Sequence, residues 1–213
     1  SRFCTGTISS RVGKISILVL QGAHGMVSKE DLIYRQVFTL KDGARILLRP
    51  LTHDDRQALI DLFGPVTADD LRYMRHNVKD PQIVSKWVDE IDYTKVFPLV
   101  AVFGSRIVGL ATLHLNQGPA RHRAEVRIFL PKDFRHRGVG SRLLQGLVEL
   151  AKRHNLYMIE AQIPSDQTPI IRSFQNLGFE PKSVYDDYFM LPDGDLRDVT
   201  HLILRLRASD DQF

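Results

Sequence analysis

Residues 125–144 read EVRIFLPKDFRHRGVGSRLL. The first six residues, which are mostly apolar or β-branched, predict a β-strand that a proline ends. Residues 141–154 predict a helix, because leucine, valine and alanine recur there on one helical face. The six residues at 135–140, RHRGVG, therefore join the end of a strand to the beginning of a helix.

This loop has the chemistry of a phosphate site. A helix N-terminus presents free N–H groups and the positive end of the helix dipole, which suits a diphosphate. Gly138 and Gly140 let the backbone approach a ligand closely and tolerate a positive φ. Arg135, Arg137 and Arg142 add positive charge where a polyphosphate needs it. The alternative is that the two glycines only form a tight turn.

Two other phosphate motifs can be tested against the same residues. A dinucleotide-binding loop needs a third glycine three residues after Gly140, where this chain has Leu143. A P-loop needs a Gly-Lys-Ser/Thr triplet, which does not follow. Neither motif is present.

The rest of the chain predicts an α/β fold, with a mixed central sheet flanked by helices. Strands are predicted at 44–49, 97–103, 106–115, 125–130, 157–163, 179–185 and 199–206, and helices after Thr52, Thr67 and Pro81 and at 141–154 and 168–176, with Gly178 as a C-cap. A helix crosses between strands 125–130 and 157–163, so these two strands must be parallel. The last strand is expected to pair with 179–185.

Composition limits the possible functions. Among 213 residues, 29 basic and 25 acidic side chains give a net charge of +4, a small excess that does not favour nucleic-acid binding. The longest apolar run, at 15–20, predicts a short strand and is too short to cross a bilayer. The single cysteine, Cys4, forms no internal disulfide, so we expect a cytoplasmic protein with no membrane partner.

Three segments are expected. Residues 1–37 form an N-terminal arm, and residues 21–24 (QGAH) resemble a protease-site remnant before an initiator Met26. Residues 38–207 form the functional domain, and residues 208–213 form a C-terminal tail.

The strand, the loop and the helix at 125–144 together resemble the coenzyme A signature of the GNAT acetyltransferase superfamily. A later landmark of that family is similar to Asn176-Leu177-Gly178-Phe179. In finer detail, residues 40–43 (LKDG), 48–50 (LRP) and 54–55 (DD) resemble the GNAT domain of bacterial protein-lysine acetyltransferases. The resemblance implies a GNAT fold in which a splayed pair of parallel strands forms the acetyl-CoA cleft.

The resemblance also implies direct transfer of acetyl from acetyl-CoA to an amine, either a protein lysine or a small molecule. A backbone N–H near the end of strand 125–130 would polarise the thioester. Glu125 is the candidate base, because an amine with a pKa near 10.4 must lose a proton before it attacks. The implied cofactor-binding residues are Ile128, Phe129, Leu130, Arg135, His136, Arg137, Gly138, Val139, Gly140, Ser141, Gln167 and Phe174.

The sequence departs from the family pattern at two of these positions. Gln167 stands where many members have an asparagine that contacts the cofactor arm. Phe174 stands where many have a tyrosine that protonates the leaving thiolate, and phenylalanine cannot donate a proton. These departures keep open a non-catalytic acyl-CoA-binding or sensor module of the same fold.

Other residues suggest weaker hypotheses. Glu125 could simply pair with Arg123 or Arg127, and the aromatic rings of Tyr73 and Trp87 are more typical of core than of an acceptor pocket. The acidic, aromatic segment 185–188 (YDDY) is interpreted as a solvated turn rather than an amine-attracting surface. The histidines are scattered, so no metal site is expected. A homodimer is left open.

Overall fold

The computed structural model describes residues 29–206. Cys4, the predicted strand at 15–20, Met26 and the tail at 208–213 lie outside these residues. The strands are β1 (Gln36–Thr39), β2 (Arg45–Pro50), β3 (Val96–Phe103), β4 (Arg106–Leu115), β5 (Arg123–Phe129), β6 (Met158–Pro164), β7 (Glu180–Met190) and β8 (Leu196–Arg205). The helices are α1 (Lys29–Leu32), α2 (Arg56–Phe63), α3 (Ala68–Leu71), α4 (Pro81–Asp89), α5 (Val139–Arg153) and α6 (Thr168–Gln175).

All eight strands form one sheet in the order β1-β2-β3-β4-β5-β6-β8-β7. The β5–β6 pair is parallel because α5 crosses between the two strands, as the sequence predicted. The predicted pairing of the last two strands is also confirmed. β1 was not predicted, and it pairs with β2 across the turn at Gly43.

Helices cover both faces of the sheet. Helix α5 and helix α6 pack on one face, where Leu143, Leu147 and Phe174 join the larger apolar core. Helices α2 and α4 pack on the other face around Leu59 and Val84. This two-sided cover confirms the predicted α/β architecture and leaves loops at the strand ends to form a site.

The helical segment after Thr67 differs from its prediction. α3 is only four residues long, and none of its side chains, all of them described, is buried. The core interpretation of Tyr73 is wrong, because its side chain lies at the surface and its hydroxyl contacts Asp166 at 3.3 Å. The core interpretation of Trp87 is supported, since its ring packs edge-on against Phe63 with centroids 6.0 Å apart.

A wedge opens between β5 and β6. The two strands pair only at Arg123↔Met158, Ala124↔Ile159 and Glu125↔Glu160 in the described chain. Beyond Glu125, β5 stays paired with β4 as far as Phe129, and β6 stays paired with β8 as far as Pro164. The facing edges of β5 and β6 therefore separate, and the splayed parallel pair that the resemblance implied is present.

A buried ion pair fixes the entry to α2. Arg49 donates two hydrogen bonds to the Asp55 carboxylate, at 2.6 and 2.7 Å, and the Thr52 backbone N–H donates a third at 2.8 Å. Side-chain exposure is 8% for Asp55 and 19% for Arg49. We expect Asp55→Ala to lower the free energy of unfolding by about 3 kcal/mol in urea titrations, because it leaves a mostly buried guanidinium unpaired.

The matched control is Asp89→Ala, which removes an exposed pair with Arg56 and should cost less than about 1 kcal/mol. Burial raises the pKa of Asp55, but the bonds from Arg49 and Thr52 lower it by more, so the net pKa is below its ordinary value. The stabilisation is therefore present at neutral pH and is lost as pH falls through the folded-state pKa. Equal losses in the two variants would contradict this account.

Candidate active site

Residues 135–140, here called the glycine loop, lead into α5, the longest helix among the described residues. Gly138 is the N-cap of α5 with φ 86°, in the left-handed region that favours glycine, and a side chain there would meet open space. His136 also has a positive φ of 58°. Helix α5 begins at Val139, two residues before the predicted Ser141. The backbone N–H groups of its first turn have no partner within the helix, so they can bind an anion.

Gly140 does not adopt the positive φ that the sequence analysis allowed for it. It lies within α5 without a positive φ, and a Cβ there would come within 3.1 Å of Leu130 Cδ1 and 3.5 Å of Ile128 Cδ1. Its missing side chain lets the first turn of α5 pack closely on the end of β5. The glycine therefore sets the distance between the helix N-terminus and the wedge.

The loop arginines bind other parts of the chain. The Arg135 guanidinium donates to Leu130 O at 2.9 Å and to Asp70 at 2.8 Å. Arg137 pairs with Asp42 and stacks over the Phe134 ring, 4.7 Å from its centroid. Both guanidinium groups thus have protein partners in this structure, and a part for either in phosphate binding stays a prediction.

The remaining predicted residues lie around the open end of β5. Ile128 and Leu130 pack against the core on the α5 side, and Phe129 contacts Phe63 on the opposite face, with centroids 5.1 Å apart. Val139 is buried, whereas Ser141 is exposed at the first turn of α5. The first turn of α5 therefore lies directly beside the end of β5.

The other two positions lie across the wedge at α6. Gln167 is the residue before α6 and makes no side-chain cap. Phe174 is buried, and its ring packs edge-on against Phe179 with centroids 5.0 Å apart. A part for either residue in cofactor binding stays a prediction.

Glu125 lies where the wedge begins, and it is engaged by two arginines. Its Oε1 atom accepts from Arg127 Nε at 3.0 Å and Arg75 Nη2 at 2.6 Å, and its Oε2 atom accepts from Arg127 Nη2 at 3.2 Å. Burial raises the pKa of this carboxyl, but Arg127 and Arg75 lower it by more, so the net pKa is below its ordinary value. Glu125 is therefore ionised at neutral pH. The pairing that the sequence left open is present.

His114 is a site residue that the sequence did not identify. It lies opposite Glu125 in the β4–β5 register, and its Nε2 atom is 2.9 Å from Thr112 Oγ1. Burial, followed by the nearby Arg127, lowers the pKa of His114 to about 4, so the ring is neutral at neutral pH. Only the register of β4 against β5 could have indicated that His114 and Glu125 are neighbours, and the sequence does not specify that register.

Residues 70–75, here called the strap, cross the wedge from the α3 side. Arg72 pairs with Asp193 in the β7–β8 turn at 2.9 Å, and the Tyr73 hydroxyl contacts Asp166 after β6. Arg75 reaches both Glu125 on β5 and Gln162 on β6. The strap therefore connects the two separated strands at the mouth of the wedge.

Within residues 29–206, no three His, Cys, Asp or Glu side chains come together in a way that could hold a metal ion. None of the helices in that range is long and apolar enough to cross a membrane.

Comparison with known proteins agrees with this geometry. The acetyltransferase (GNAT) family model matches residues 65–179. An N-acetyltransferase of Methanocaldococcus jannaschii, named as uncharacterized, is 26% identical over 141 residues, which are 64% of this chain and 62% of that protein. This chain thus spans less than two thirds of the length of that relative.

Solved structures share the fold. The GNAT domain of S. lividans PAT superposes with a TM-score of 0.68 at 18% identity, over 84% of this chain and 99% of that one. The yncA protein of Salmonella typhimurium, solved with its cofactor acetyl-CoA, gives 0.67 at 18% identity, over 78% and 96%. The family match covers more than half of the 213 residues and includes the wedge and the glycine loop. The chain belongs to the acetyltransferase (GNAT) family.

Proposed function

We propose that this chain binds acetyl-CoA in the β5–β6 wedge and transfers the acetyl group directly to a primary amine. The observation that carries the proposal is the open edge of β5, which leads into the Gly138 loop at the N-terminus of α5. An extended arm with amide groups can pair with that edge, and a diphosphate can bind the helix N-terminus. Acetyl-CoA has both parts.

The cofactor contacts we propose come mainly from backbone groups. The N–H groups of the loop and of the first turn of α5 would bind the diphosphate, since Arg135 and Arg137 are held by Asp70 and Asp42. The residues that would surround the cofactor are those predicted from the sequence: Ile128–Leu130, Arg135–Ser141, Gln167 and Phe174. A β5 N–H near Phe129 or Leu130 would donate to the thioester oxygen.

We propose Glu125 as the proton acceptor. The amine nitrogen attacks the acetyl carbon, the carbon–sulfur bond breaks, and coenzyme A leaves as the thiolate while the amine proton passes to Glu125, directly or through one water molecule. The position of Glu125 at the point where β5 and β6 separate supports this role, and its carboxylate is ionised at neutral pH. No side chain is assigned to protonate the thiolate, because Phe174 cannot donate.

The acceptor we propose is a protein lysine or a small alkyl amine. An ionised carboxylate at the mouth of the wedge suits a cationic group better than an acidic one. The shared fold does not decide between a protein and a small-molecule acceptor. One solved structure of this fold is named as a ribosomal-protein-S5-alanine acetyltransferase, and another is named as a spermidine N-acetyltransferase chimera.

The test is release of free coenzyme A thiol from acetyl-CoA on addition of three acceptors in turn: a lysine peptide, a peptide with a free N-terminal alanine, and spermidine. We expect at least one acceptor to raise the rate of thiol release above that of acetyl-CoA with protein alone, with the acetylated product identified by mass spectrometry. Acetyl-CoA binding without any turnover would instead support the acyl-CoA-binding module. The observation that favours such a module is that Glu125 is paired with two arginines.

A further inference from the structure

Arg75 bridges the two strands just beyond the point where they stop pairing. Its Nη2 atom lies 2.6 Å from Glu125 Oε1 on β5 and 3.0 Å from Gln162 Oε1 on β6. Glu125 belongs to the last pair of the ladder, and Gln162 lies two residues beyond the other member of that pair. The guanidinium therefore lies at the inner end of the wedge, where the two strands begin to separate.

The two oxygens form a site for a cation with several donors. Gln162 Nε2 lies 3.4 Å from the Tyr188 hydroxyl, an arrangement that leaves Oε1 facing Arg75. Arg127 donates to both oxygens of Glu125, and Oε1 is the one that also accepts from Arg75. An ammonium ion has three donors and can bind both oxygens as the guanidinium does.

Arg75 is held weakly enough to be displaced. Its side chain is 41% exposed, against 21% for Glu125. The Arg75–Glu125 pair is partly exposed, and exposed pairs of this kind contribute little to stability. The guanidinium of Arg75 can therefore turn away from Glu125 while Asp70 stays paired with Arg135 and the rest of the strap keeps its place.

We propose that Glu125 and Gln162 form a binding site for the ammonium group of the acceptor, that Arg75 occupies this site in the present structure, and that the acceptor must displace Arg75 to bind. This inference rests on the proposed function, because it assigns the acceptor side of the same wedge. Arg75 competes with the acceptor and is not a catalytic residue. If Arg75 instead anchored an acidic acceptor, removing Arg75 would weaken binding of that acceptor.

The direct test uses n-butylammonium, a lysine side chain without its backbone, and needs no acetyl-CoA. Binding is followed through the side-chain amide NMR signals of Gln162, with tetramethylammonium at equal concentration as the ion that cannot donate hydrogen bonds. We expect Arg75→Ala to bind n-butylammonium about two- to fivefold more tightly than the unsubstituted chain, the ratio expected from losing one exposed ion pair. Adding Glu125→Gln to Arg75→Ala should abolish the gain.

Two further variants test whether tighter binding comes from removing the cation at position 75 or from losing any exposed ion pair. Arg75→Lys keeps a cation in the site and should bind the probe like the unsubstituted chain. Arg56→Ala removes an equivalent exposed pair, with Asp89, and should also leave probe binding unchanged. Equal affinity in Arg75→Ala and the unsubstituted chain, weaker affinity in Arg75→Ala, or a gain that survives Glu125→Gln would overturn the inference. Failure of acetyl-CoA to bind or react would overturn the proposed function instead.

Discussion

Replacing Gly138 with aspartate is expected to weaken acetyl-CoA binding at least about a hundredfold, because like charges brought together in a binding site cost several kcal/mol. The new carboxylate would stand at the N-terminus of α5, where the diphosphate is proposed to bind. The backbone adds to this effect, since φ is 86° and residues with a Cβ adopt such values at a cost. The measurement is a calorimetric titration of the variant with acetyl-CoA.

Strain and charge can be separated with a second glycine. Gly194, in the turn between β7 and β8, has φ 84° and open space around it, so Gly194→Asp introduces nearly the same backbone strain away from the loop. We expect Gly194→Asp to keep the affinity for acetyl-CoA within about twofold and to lose a similar amount of thermal stability. If Gly138→Asp bound acetyl-CoA as tightly as Gly194→Asp does, the loop would not be the diphosphate site.

Glu125→Gln is expected to lower kcat by about a hundredfold or more, the usual contribution of a general base. The amide keeps the shape of the side chain but cannot take up a proton. Affinity for acetyl-CoA should stay unchanged, because Glu125 lies on the acceptor side of the wedge. Steady-state kinetics with the best acceptor, together with calorimetry, separates the two effects.

The control is Glu160→Gln on the neighbouring strand. Glu160 is the ladder partner of Glu125 and pairs with Arg123 at 2.9 Å, so its substitution also removes a carboxylate from an arginine at the same level of the sheet. We expect kcat to stay within about threefold, since Glu160 is not assigned to proton transfer. Equal losses in the two variants would mean that Glu125 acts only through its ion pairs.

The pH profile carries the same information. The pKa of Glu125 is lowered, so the base stays ionised down to below its ordinary pKa. The rate should therefore rise with pH from about 6 to 9, because a growing fraction of the acceptor amine becomes neutral. Glu125 stays ionised over this whole range, so its titration should not limit the rate.

The features that the sequence predicted are local. The glycine loop could be predicted because a strand, RHRGVG and a helix follow one another within residues 125–154, and the strand and the helix each have their own pattern of apolar residues. The parallel relation of β5 and β6 followed from the helix between them. Neither prediction required knowing which distant residues meet.

The parts that the sequence missed depend on distant contacts. Asp70 and Asp42, which hold Arg135 and Arg137, lie 65 and 95 positions earlier in the chain. His114 reaches Glu125 through the β4–β5 register. Tyr73 lies outside α3, which ends at Leu71, so the helical spacing from which its core position was predicted does not extend to it. The cytoplasmic location and a homodimer stay predictions.

The most direct test of the central claim is a calorimetric titration of the unsubstituted chain with acetyl-CoA. We predict one site with a dissociation constant of about 10 µM or below, in the lower part of the range usual for enzyme substrates. Binding of that strength, lost in Gly138→Asp and kept in Gly194→Asp, would establish the Gly138 loop beside the β5–β6 wedge as the cofactor site. A folded chain, with a cooperative thermal transition, that gives no heat of binding at millimolar acetyl-CoA would contradict it, and the loop would then be only the turn that begins α5.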